Sequence, residues 1–114
     1  FMAIYSNLIV DQGSNFTSTI TVTDSDGDVV NLTGYTYAGK IKKNFSSATA
    51  VSFVTPTTPG ANGEIEIRLT DTQTKLLESG RYVYDVEIYS AGGVTTRVVE
   101  GQVEVTAGVT LGGV

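Results

Sequence analysis

Three carboxylates, Asp24, Asp26 and Asp28, alternate around Gly27, and a hard cation such as calcium takes several oxygens of this kind. The spacing departs from the helix-loop-helix calcium loop: Gly27 is misplaced and Tyr35 stands where the bidentate Glu belongs. Asp and Gly are also what a hairpin tip demands, and that is the preferred reading, with no metal and no cofactor expected. A second set, Asp85 and Glu87 with Glu64 and Glu66 on a neighbouring strand, offers the two carboxylates of a glycosidase. All four fall at outward strand positions, so a solvated face is expected and catalysis there is rejected. With no His and no Cys, the chain lacks the commonest general base, a thiolate nucleophile and zinc-ribbon ligands. The expectation is a protein that is not an enzyme.

Six tyrosines, Tyr5, Tyr35, Tyr37, Tyr82, Tyr84 and Tyr89, could build a recognition platform, since each ring joins apolar area to a polar tip. Alternation sends Tyr35, Tyr37, Tyr82 and Tyr84 inward. Tyr89 falls on the outer face beside Asp85 and Glu87 and is the one candidate contact residue.

These side chains need elements to hold them. A chain of 114 residues fits one domain and can bury about two-thirds of its unfolded surface. Its Val, Ile, Tyr and Thr content suits pleated, half-buried surfaces. A net charge of −5, with Lys40, Lys42 and Lys43 as the only local cationic group, argues against a nucleic-acid partner. No run approaches the ~20 apolar residues of a membrane span, so no membrane partner is expected. No basic stretch leads into an apolar one, so no signal peptide is read; Met2 reads as the natural start.

Residues 3 to 10 read as an imperfect first strand, ended by the turn signal at Asp11, Gln12 and Gly13. Residues 15 to 23 alternate cleanly, with Phe16, Ser18, Ile20 and Val22 on one face. After the acidic hairpin come a short strand at 29 to 32, a longer one at 35 to 43, and a short one at 50 to 55. The loop from Pro56 to Gly63 holds both prolines. Residues 64 to 70 resume with Ile65, Ile67 and Leu69 inward. Thr70 with Gln73 matches a capping box, so a short helical turn is expected near residues 71 to 77. A hairpin at Ala91, Gly92 and Gly93 leads to a closing strand over 94 to 106, with Gly101 as a predicted bulge.

The strand between them organises the rest. Tyr82, Tyr84, Val86 and Ile88 are large and apolar, while Arg81, Asp85 and Glu87 are charged, which gives one dry and one wet face. Its entry, Gly80-x-Tyr82-x-Tyr84 after Glu78, resembles the corner before strand F of immunoglobulin-like sandwiches, where a Tyr hydrogen-bonds back across the turn. Gly80, Tyr82 and Tyr84 are therefore the structural corner, and Tyr84 stands where that fold's inner Cys would be. The expected architecture is all-β: an immunoglobulin-like, two-sheet antiparallel β-sandwich of seven to eight strands over residues 2 to 106, with a flexible tail over 107 to 114.

A resemblance adds to this. Asn62-Gly63, Thr70-x-x-Gln73-Thr74, Gly80-x-Tyr82-x-Tyr84-Asp85 and Glu100-Gly101-x-Val103-x-Val105 form a pattern similar to small virion or tail-associated proteins of tailed bacteriophages, as in the N-terminal immunoglobulin-like domains of baseplate upper proteins. Leu32-Thr33-Gly34-Tyr35 and Ala38-Gly39-Lys40-Ile41 extend it. The resemblance implies a non-enzymatic structural or interaction module of the virion, in tail, baseplate or fibre, with other virion proteins as partners. Homo-oligomers through edge strands are a further expectation, the edges being the first strand and the strand over 94 to 106. The alternative is a carbohydrate-binding or adhesion module of a bacterial surface assembly.

Overall fold

The computed structural model describes residues 4–44, 46, 50–56 and 58–108. The tail over 109–114 lies outside them, as does most of the loop at 45–49. Eight strands and one helix are found among the described residues: β1 (Ile4–Tyr5), β2 (Leu8–Asp11), β3 (Phe16–Thr21), β4 (Thr36–Lys42), β5 (Val51–Ser52), β6 (Glu64–Leu69), α1 (Asp71–Leu76), β7 (Gly80–Tyr89) and β8 (Thr95–Thr106). The larger sheet runs β1-β8-β7-β4-β5, with β2 continuing β1 along β8; β3 and β6 form the smaller sheet. The chain is an all-β, immunoglobulin-like sandwich, as its periodicity predicts.

Four expectations need correction. The sandwich is not wholly antiparallel, because β1 and β2 both run parallel to β8. For the same reason β8 is not an edge: from Val99 onward it is flanked by β7 on one side and by β1 and β2 on the other. The bulge in β8 lies at Val98, where the register against β7 shifts between Val86 and Glu87; Gly101 pairs in regular register with Tyr84. Both Val98 and Val99 are buried, which one extra residue permits and strict alternation forbids. Residues 29 to 32 form no strand beyond one bridge between Thr23 and Val29, although Leu32 is wholly buried.

Between β5 and β6 the chain changes sheets. Phe53 N donates to Gly39 O in the larger sheet, and the next residue, Val54, exchanges hydrogen bonds with Arg68 in the smaller one. Phe53 thus drops its ring into the core, edge-on to Tyr84 at 6.0 Å between centroids. The core joins inward residues of both sheets, among them Ile65, Ile67 and Leu69 from β6 with Tyr84, Val86 and Ile88 from β7.

The corner forms as its residues predict. Tyr82 Oη donates to Glu78 O at 2.8 Å across the bend at Gly80, whose φ of 138° suits glycine. Lys43 Nζ sits 4.7 Å above the Tyr82 ring. Tyr82→Phe is expected to cost about 1 kcal/mol in urea denaturation, the net worth of one hydrogen bond. An unchanged midpoint and slope would reduce Tyr82 to packing alone.

The capping box is also present. Thr70 Oγ1 accepts from Gln73 N, while Gln73 Oε1 accepts from Thr70 N, and both close the first turn of α1. Farther along this short helix, the wholly buried Thr74 hydroxyl donates to Ser14 O at 2.8 Å and accepts from Gly13 N at 3.1 Å. The helix is thereby fastened to the turn between β2 and β3.

Candidate functional site

The acidic hairpin is held as a turn. Asp24 Oδ1 accepts from the backbone N–H groups of Asp26 and Asp28 at 2.9 and 3.0 Å, so one carboxylate oxygen already serves the loop. Among the described residues, no group of three or more His, Cys, Asp or Glu side chains is placed to hold a metal ion.

The four-carboxylate set does not come together. Glu64 and Glu66 belong to β6 in the smaller sheet, whereas the neighbours of β7 are β4 and β8. Glu66 instead pairs with Arg68 at 3.0 Å on its own strand. Tyr89 does lie on the outer side of β7, but it is half-buried and its hydroxyl donates to Glu87 Oε1 at 3.3 Å. Burial first, and then the Glu87 carboxylate, push that hydroxyl above the ordinary tyrosine value. Of the inward tyrosines, Tyr37 Oη donates to Glu66 O at 2.6 Å, which ties the two sheets together, and Tyr84 Oη donates to Ser6 O at 2.6 Å.

What the register does assemble is a row across the outer face of the larger sheet. Tyr5 pairs with Glu100, Glu100 with Asp85, and Asp85 with Lys40, so four strands present these side chains at one level. Gln102, Val83 and Lys42 form the next level. With Arg97 these residues line a groove of about 620 Å³, in the ~300–1,000 Å³ range of small-ligand sites. Tyr5 stands at its rim with 65% of its surface exposed.

The electrostatics of this groove are unusual for a plain sheet surface. Asp85 and Glu100 are directly opposed like charges, an arrangement that destabilises a strand pair. Arg97 relieves it by reaching both, at 3.4 Å to Asp85 Oδ2 and 2.9 Å to Glu100 Oε2. Among the described residues Lys40 and Lys42 make no ion pair within 4.0 Å, although the charge of Lys42 is felt at Asp85. Lys43, at the end of the same run, is turned away onto Tyr82.

Desolvation pushes the Asp85 carboxyl above the usual carboxylate range; Arg97 opposes this, and Glu87 and Glu100 add to it. A folded-state pKa above the unfolded one means that Asp85 opposes folding at neutral pH, and that this opposition fades as pH falls through the folded value. A carboxyl-detected NMR titration should place Asp85 above an ordinary Asp, and Arg97→Ala should raise it further. A midpoint that falls in that variant would contradict the assignment of Arg97.

The signals in the sequence for this groove are the outward charge of Asp85 and the local cations Lys40 and Lys42. Tyr5, Lys40, Lys42, Arg97, Glu100 and Gln102 come together only through register, which no single strand encodes.

No protein-family model and no curated protein sequence matches the chain. Among solved structures, it is similar over 90% of its length to 92% of a chain from work on multimeric cell-adhesive interactions of VGSC beta subunits, at 12% identity and a TM-score of 0.49. It is also similar to a family 123 glycoside hydrolase from Clostridium perfringens, at 15% identity and a TM-score of 0.47, covering 94% of this chain and 23% of that one. A Listeria monocytogenes internalin-like protein matches at 22% identity and a TM-score of 0.44, covering 93% of this chain and 28% of the other. The chain thus spans under a third of the last two proteins, and its fold assignment rests on its own strand order and tyrosine corner.

Proposed function

We propose that this protein is a non-enzymatic interaction module of a bacteriophage virion, in tail, baseplate or fibre, that binds other virion proteins through the open side of its larger sheet. The observation that carries the binding role is the β1 and β2 edge. It pairs only with β8 among the described residues, and it exposes Ile4, Tyr5 and Ile9 at 41%, 65% and 65%. An edge with unpaired main-chain groups and apolar side chains accepts a strand from a partner or from a second copy. The virion assignment itself is supported by the motif resemblance over most of residues 15 to 106.

Nucleic acid and membrane are not among the proposed partners. The net charge of −5 disfavours phosphate backbones, and no helix among the described residues is long and apolar enough to cross a membrane. Mass spectrometry of gradient-purified particles tests this reading. It expects the chain at a fixed ratio to the tail proteins, and recovery only in the soluble lysate fraction would overturn it.

One observation favours a second reading, a carbohydrate-binding module: an exposed tyrosine at the rim of a charged groove. The residue concerned is Tyr5, whereas Tyr89 is engaged with Glu87.

A further inference from the structure

The groove on the outer face of the larger sheet carries features that packing leaves unexplained. Sheet surfaces avoid opposed like charges, yet Asp85 and Glu100 face each other and are held by one arginine. Lys40 and Lys42 line the same groove without an ion-pair partner among the described residues. Arg97 is engaged by Asp85 and Glu100, which leaves the Lys40 and Lys42 ammonium groups as the cations this groove offers in a chain of net charge −5. A cationic patch on an acidic protein selects an anion by complementarity.

The shape narrows the anion. From β1 through β8 and β7 to β4 are three inter-strand intervals, about 14 Å at the usual sheet spacing. Along that line lie an exposed aromatic ring, then two carboxylates fixed by a guanidinium, then an ammonium group. Carboxylates accept hydrogen bonds from hydroxyl groups, the Gln102 amide accepts and donates them, a tyrosine face covers the apolar side of a sugar ring, and a lysine pairs with a carboxylate.

Resting on the second reading above, we infer that this groove binds an oligosaccharide bearing carboxylate groups, laid across the strands with one ring on Tyr5 and a carboxylate on Lys40 and Lys42. Asp85, Glu100 and Gln102 take the sugar hydroxyls between them. Arg97 positions the two carboxylates and does not itself receive the ligand's charge.

The test titrates the full chain with trigalacturonate and, separately, with the neutral maltotriose, following backbone amide resonances. Saturable shifts confined to residues lining the groove are expected with trigalacturonate, and maltotriose should bind about tenfold more weakly, as for one lost charge-assisted hydrogen bond. Tyr5→Ala and Lys40→Gln should each weaken trigalacturonate about tenfold, while Tyr89→Ala leaves it unchanged. Tyr5 and Lys40 are exposed, and an unaltered amide spectrum of each free variant establishes that it is folded. Equal binding of both sugars would overturn the anionic ligand class. Absence of shifts with either, shifts outside the groove, or affinity that survives both substitutions would overturn the site. Equal binding of both sugars removes the anionic class and leaves the carbohydrate-binding reading standing, whereas no shift with either removes both, so the two failures are told apart.

Discussion

Gly101→Ala is expected to destabilise the protein by about 3 kcal/mol, at the upper end of what one added methyl costs in a packed interior. A Cβ at this position would overlap Ser6 O and lie 2.8 Å from Ser6 C, and both obstacles are backbone, which no side-chain rotation can clear. The approach is close because β1 and β2 break at Ser6 and Asn7, where the chain leans onto β8. Ser6 N donates to Glu100 O at 2.9 Å, Ser6 O accepts from Tyr84 Oη, and Asn7 Oδ1 accepts from Gln102 N at 3.1 Å. Adding the methyl displaces this kink and loosens all three bonds. Urea denaturation measures the loss, and amide exchange over residues 4 to 11 should quicken alongside it. A loss below ~0.5 kcal/mol, the level of a neutral surface change, would contradict the close approach.

Thr74→Val should also cost about 3 kcal/mol, although it keeps the shape of the side chain. The hydroxyl is wholly buried and serves Gly13 N and Ser14 O together. Valine leaves the buried donor Gly13 N without a partner, at about 1–3 kcal/mol, and the part-buried acceptor Ser14 O short of one. Neighbouring bonds share the load only in part: Gln12 Nε2 donates to Leu77 O and Asn15 Oδ1 accepts from Asp71 N. Thr74→Ser, which keeps the hydroxyl, should lose only about 1 kcal/mol of methyl burial. If Val and Ser behave alike in equilibrium denaturation, the hydroxyl is not what fastens the helix.

These residues also mark how far the sequence was legible. Strands with a clean period of two, such as β3, β6 and β7, lie where their alternation puts them, because one wet and one dry face leave a single way to pack. The Tyr82 hydrogen bond across the bend at Gly80 and the capping box at Thr70 and Gln73 were equally plain, since both are local and their partners lie within a few residues. Gly101 shows the opposite case. A glycine in a strand signals either a bulge or a close neighbour, and the neighbour here is 95 residues away in sequence at Ser6, so periodicity could not choose between them.

Strand direction was likewise hidden. Alternation is the same for parallel and antiparallel pairing, and the imperfect pattern of residues 4 to 11 is the trace of a kink at Ser6 and Asn7. The groove was the least legible feature, because Tyr5, Lys40, Arg97 and Glu100 sit on three different strands and their meeting depends on the register of each pair. Tyr89, outward by alternation, folds its hydroxyl onto Glu87 through a contact two residues along its own strand.

The open side of the larger sheet is the feature on which the interaction role depends, and amide hydrogen exchange of the chain, free and within purified particles, examines it directly. Slower exchange in the particle over residues 4 to 11, with β3 and β6 unchanged, is the predicted result. Protection confined to β3 and β6, with residues 4 to 11 exchanging as in the free chain, would contradict it.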